Sequence, residues 1–122
     1  MKNIEPIPDA LDALLALPDD GPVVMLNLLK FEPGGGSKAY AQYSRDFLEL
    51  LKEAGGRFVF TGRAEQLLVG EGDWHYVALV EYPSRKSAVD LFRSERYAKI
   101  HANREQGLSK TVLYALKPTE FG

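Results

Sequence analysis

Three side chains with reactive tips fall along one side of a C-terminal helical pattern: Tyr97, His101 and Arg104, at i, i+4 and i+7. A guanidinium there could hold an anionic substrate, and an imidazole can move a proton near neutral pH. The plainer alternative is that this side packs on a sheet, with Arg104 paired to a strand-end acid such as Glu81. Asn27 stands inside the apolar run VVMLNLL, where an amide needs hydrogen-bond partners from the sheet, from a dimer interface or from a ligand. Arg63, Trp74 and Tyr82 interrupt or end other strand-like runs. The candidate pocket is therefore Asn27, Arg63, Trp74, Tyr82, His101 and Arg104, with no catalytic set assigned.

Other chemistry is thinly represented. His75 follows Trp74 at the edge of a turn and reads as a surface group. The chain has two histidines and no cysteine, and neither a His-x-His nor an HExxH spacing, so no metal site and no cofactor are expected. Gly34, Gly35 and Gly36 precede a helix but lack the lysine and spacing of a phosphate-binding loop. No Ser-His-Asp order, paired-acid motif or dinucleotide fingerprint is visible. Tyr40 and Tyr43 belong to a helix stripe, which core packing explains first.

The composition narrows the class. The 122 residues fit one domain, read as an N-terminal arm and short helix over 1–21 and a core over 22–118. A chain of this length buries enough surface to hold a real core. The net charge is −2 and the basic residues are scattered among acids, so nucleic acid is not an expected partner. The start, MKNIEPIPDA, lacks the apolar stretch of a signal peptide, and no run approaches a membrane span. The lack of cysteine fits a reducing, cytoplasmic setting.

These residues must be positioned by alternating elements. Residues 8–17 read as a short helix, and 23–31 as a strand bounded by breakers. The span 37–54 is a long amphipathic helix with Tyr40, Tyr43, Phe47, Leu50, Leu51 and Ala54 on one stripe. A strand follows over 57–63, with a bulge expected at Gly62 and an extension over 66–69. The strand over 74–82 stops at Pro83. Ser84 and Ser94 read as two successive N-caps, and Gly107 as the stop. A last strand covers 110–117. This is the ferredoxin-like βαββαβ order of an α+β fold, with an extra N-terminal helix.

Alternation assigns faces to the sheet. Val24, Leu26, Leu28, Phe58, Phe60, Val77, Leu79, Leu113 and Ala115 form the more uniformly apolar set, which is expected beneath the helices. The opposite set, including Met25, Asn27, Leu29, Tyr76, Tyr82, Val112 and Tyr114, would then face a second copy of the chain, since monomers rarely leave such a patch in water. A homodimer is expected, with its two sheets enclosing a space.

The stretch GGRFVFTG followed by EGDWHYVALVEYPSRKSAVDLFRSERYAKIHANR resembles the DUF1330 family, as do NLLKF at 27–31, Tyr40 and Tyr43. The likeness covers about residues 23–117. It implies a dimeric α+β barrel, a fold shared with small monooxygenases, muconolactone isomerases and haem-handling proteins, and it implies no established activity. Asn27, Trp74 and His101 are similar in type to the Asn, Trp and His set of cofactor-independent haem-degrading monooxygenases, where the histidine follows the tryptophan more closely. Three uses of the fold remain open: a cofactor-independent enzyme acting on a small organic molecule, a non-catalytic ligand-binding dimer, and a structural dimerisation module. An enclosed pocket favours the first two, and a filled interior favours the third.

Overall fold

The computed structural model describes Lys2 and residues 4–120. In chain order the elements are α1 (Ala10–Leu15), β1 (Val23–Phe31), α2 (Gly36–Glu53), β2 (Arg57–Arg63), β3 (Tyr76–Tyr82), α3 (Arg85–Phe92), α4 (Glu95–Gly107) and β4 (Leu108–Leu116). The strands pair antiparallel in the order β2-β3-β1-β4, the ferredoxin-like arrangement. Among the described residues no helix is long and apolar enough to cross a membrane.

Local chemistry explains the boundaries. The Ser84 hydroxyl accepts from the Ser87 N–H, and the Ser94 hydroxyl accepts from the Tyr97 N–H, so both expected caps are formed. They divide the helical region into α3 and α4 at Arg93, whose N–H still bonds back to Val89. Gly107 ends α4, but no loop follows it: the chain passes directly into β4, which therefore starts at Leu108 rather than 110. The β3 strand begins at Tyr76, two residues later than expected, and residues 66–69 form a loop instead of extending β2. The irregularity in β2 falls between Phe58 and Phe60, not at Gly62, and leaves Val59 unpaired.

The core lies between the sheet and α2 and α4. Leu29, Leu51, Val23, Tyr82 and Leu108 are sealed there, each such side chain contributing about 1.5–3 kcal/mol. Rings carry the packing across the layer. Tyr43 stacks on Phe47 with centroids 5.5 Å apart, and Tyr97 meets Tyr43 edge-on at 6.2 Å.

The face assignment from alternation is inverted on the two central strands. Val23, Met25, Asn27 and Leu29 of β1 are the buried set, paired across to Tyr82, Val80, Ala78 and Tyr76 of β3. Val24, Leu26 and Leu28, with Val77 and Leu79, lie on the open face, joined there by Val112, Tyr114 and Leu116 of β4. The large helix rings explain this. They fill the layer, so the sheet beneath can carry small or polar groups such as Ala78 and Asn27. Uniform apolarity marks the face that no helix covers.

Candidate functional site

Tyr97, His101 and Arg104 project from α4 towards the sheet, one helical turn apart. Arg104 is buried, at 5% exposure. Its Nη1 donates to the Ile4 carbonyl at 3.2 Å and its Nη2 lies 3.5 Å from the Thr111 hydroxyl. Thr111 in turn donates to the Leu28 carbonyl at 2.9 Å. The anticipated ion pair with Glu81 does not form, because Glu81 lies on the open face and meets Arg57 at 3.3 Å. Among the described residues Arg104 has no carboxylate partner.

Three phenols surround this cation. Tyr40, beside Arg104, is held protonated by burial, which pushes it up to about 12 against the pull of the guanidinium. Burial also raises Tyr43 and Tyr97, whose hydroxyls share a 3.1 Å hydrogen bond. The phenols therefore act as neutral donors and acceptors around a permanent positive charge.

His101 closes one side. Its Nε2 is 2.6 Å from the Glu5 carboxylate, its ring lies 5.6 Å from that of Tyr97, and its Nδ1 is buried with no partner among the described residues. With Nε2–H donating to Glu5, a neutral ring would leave the Nδ1 lone pair facing protein. Glu5, His101 and Glu105 also bring ligand atoms within 4.8 Å of one another. The sequence offered no metal spacing, yet this trio could hold a divalent ion if the Glu5–His101 bond gave way.

The other candidates divide. Asn27 lies under the helices, donating long bonds to the Met25 and Ala78 carbonyls at 3.4 and 3.3 Å. Tyr82 is sealed further along the same face, with its hydroxyl unpartnered among the described residues, and burial raises it well beyond the usual phenol range. Arg63 is exposed at the end of the edge strand, and Trp74 sits in the β2–β3 loop with Lys110 Nζ 4.7 Å above its ring. The structure thus brings Asn27, Tyr82, His101 and Arg104 into one layer and leaves Arg63 and Trp74 outside it. Sequence reasoning missed Thr111, Ile4 and Glu5, and it read Tyr40 and Tyr43 first as packing. Their spacing matched the helix stripe, while the arm has no periodicity to read.

Two surface grooves carry less chemistry. One of about 510 Å³, where α3 and α4 begin, has its charges already paired: Lys86 with Asp90 at 2.7 Å and Arg96 with Glu53 at 2.5 Å. The other, about 460 Å³, runs along the three glycines. Its Lys30 is bound to Asp73, which Lys110 and Lys30 together hold well below the usual carboxylate range. His75 Nδ1 there accepts the Phe31 N–H at 3.1 Å.

Residues 36–116, from the start of α2 to the end of β4, match the family described as a domain of unknown function, DUF1330. The chain belongs to this family. All the site residues except Asn27, Ile4 and Glu5 fall within the matched span. The DUF1330 chain is similar to RPA0582 of Rhodopseudomonas palustris, a protein of unknown function, at 29% identity and a TM-score of 0.91, covering 98% of this chain and 99% of that one. It shares its fold with a dabb family protein of Mesorhizobium loti described as ferredoxin-like, at 12% identity and a TM-score of 0.61 over 83% and 100% of the chains. A candidate antibiotic biosynthesis monooxygenase of Caulobacter crescentus is similar at 18% identity and a TM-score of 0.56, over 82% and 92%. Among curated proteins none matches the chain.

Proposed function

We propose that this DUF1330 protein is a homodimer that takes up a small organic anion at Arg104, between the sheet and the α2–α4 layer. The observation that carries the reading is a buried guanidinium whose partners are a carbonyl and a hydroxyl. Dipoles of that kind orient a cation without neutralising it, and a buried charge left without a counter-ion is expensive. An incoming carboxylate or enolate would supply the missing charge, with Tyr40, Tyr43 and Tyr97 as neutral hydrogen-bonding groups beside it.

The enzymatic form of this reading uses His101. In the neutral tautomer with Nε2–H on Glu5, its Nδ1, unpartnered among the described residues, would accept a proton from a bound molecule while Glu5 fixes the ring from the other side. Proton transfer on an organic acid needs no cofactor, and Arg104 would stabilise the charge that develops. A non-catalytic binding protein would use the same groups without turnover.

The dimer rests on the open face. Phe60 and Tyr114 are more than half exposed there, beside Leu26, Leu28 and Leu79, and Leu68 and Val69 project from the adjoining β2–β3 loop. A contiguous apolar sheet face of this extent is what a second copy would cover. The experiment is a melting-shift screen of small carboxylates on the wild-type chain and on Arg104→Met. Ligands that raise the wild-type midpoint and leave the variant unmoved support the site. Equal shifts, or none in either protein, would leave only the structural dimer.

A further inference from the structure

Ile4 belongs to a segment without secondary structure, yet it is 6% exposed and lies in the main core cluster. Its neighbour Ile7 is 77% exposed, so the arm as a whole is not buried and one residue of it has been selected for the interior. The Ile4 carbonyl takes the hydrogen bond from Arg104 Nη1. Around it the arm is fastened at points that are polar and accessible. Glu5, itself exposed, reaches His101 Nε2, and Lys2 Nζ donates to the Glu105 carbonyl at 2.8 Å and faces the Glu32 carboxylate at 3.8 Å.

We infer that Ile4 is a built-in stand-in for the ligand, and that the molecule it stands in for is a short, branched aliphatic carboxylate. The inference rests on the Arg104 site proposed above and gives its ligand a class. An apolar branched side chain fills the hydrophobic space beside the phenols, and an oxygen meets the guanidinium. A carboxylate carrying a similar tail offers the same two contacts and adds the charge that a carbonyl lacks. Exchange of one for the other releases Ile4 and breaks the Glu5–His101 contact, both of which hold the arm over the site. A larger aromatic acid would need more room than the Ile4 side chain now occupies.

The arm competes with the ligand, so weakening it raises apparent affinity by the factor by which the open state becomes more populated. The test uses the full chain with isovalerate, and with isoamyl alcohol as the uncharged analogue, by isothermal titration. Ile4→Ala, which empties the space, and Glu5→Ala, which leaves Ile4 in place and removes the fastening, are both expected to bind isovalerate roughly tenfold more tightly than wild type. Isoamyl alcohol should gain in Ile4→Ala but show no dependence on Arg104. Amide hydrogen exchange at Ile4, the buried residue of the arm, should accelerate when isovalerate is added to wild type. Equal affinity in wild type and both variants, or unchanged exchange in the arm on binding, would make the arm a fixed wall and end this inference while the Arg104 site stood. Absence of binding to all three proteins would remove the Arg104 reading and this one with it.

Discussion

Gly36 and Gly107 hold the two long helices at backbone contact. A methyl group on Gly36 would stand 2.6 Å from the Gly107 carbonyl oxygen, and one on Gly107 would stand 2.7 Å from that of Gly36. Both obstacles are main chain, so neither can swing aside. Gly107→Ala is expected to cost about 1–3 kcal/mol by overpacking, measured by urea unfolding. It should also displace Arg104, three residues earlier on α4. Stability equal to wild type would mean that the contact is slack.

Arg104→Met is expected to keep or raise the thermal midpoint, because it removes a buried charge whose partners are a carbonyl and a hydroxyl. Asn27→Leu should behave alike, since both bonds of the amide exceed 3.2 Å. A loss of several degrees in both variants would show that these groups serve the fold.

The Tyr43–Tyr97 hydroxyl pair offers a cycle. Either Tyr→Phe change leaves one buried hydroxyl unpaired and should cost about 1–3 kcal/mol. The double variant should cost less than the two singles added together, by about 1 kcal/mol. Simple additivity would deny the bond.

Four of the six tyrosines have phenols raised by burial: Tyr40 to about 12, with Tyr43, Tyr82 and Tyr97 also above the usual range. The folded state then retains protons that the unfolded chain releases near pH 10, so this stabilisation is complete below about 10. It is lost as pH rises from there through 12. Ultraviolet titration should show these phenols ionising only as the chain unfolds. Reversible ionisation of all six in a folded protein near pH 10 would contradict the packing.

Tyr114 is 60% exposed in a single chain, so Tyr114→Glu should leave the fold intact and act on association alone. Sedimentation equilibrium is expected to give twice the chain mass for wild type at micromolar concentration and a weakened dimer for the variant. A monomeric wild type would remove the interface.

Much of the fold was legible because its signals are local. Ser84 and Ser94 cap helices whatever surrounds them, and the α2 stripe needed only a period. The face of the sheet was not legible, because it depends on what the helices bring to the layer. Val24, Leu26 and Leu28 look more like core than Met25, Asn27 and Leu29, and only the rings of α2 and α4 reverse that order. His101 and Arg104 could be read from their spacing on α4. Ile4 and Glu5 reach the same site by a path that no periodicity announces, and Arg63 dropped out because the edge strand carries it away from the helices.

The unpaired Val59 also bears on which length changes this sheet can absorb. Phe58 lies opposite Val80 and packs on Phe47, while Phe60 lies opposite Leu79 on the other side. Two rings two residues apart would share a face in a regular strand. Loss of Val59 alone would make them neighbours and restore ordinary alternation with both rings where they now stand. Loss of Thr61 with the bulge kept would instead exchange inside for outside at Gly62 and Arg63. In β2, then, the bulge is the point where a residue can be lost without rebuilding the sheet.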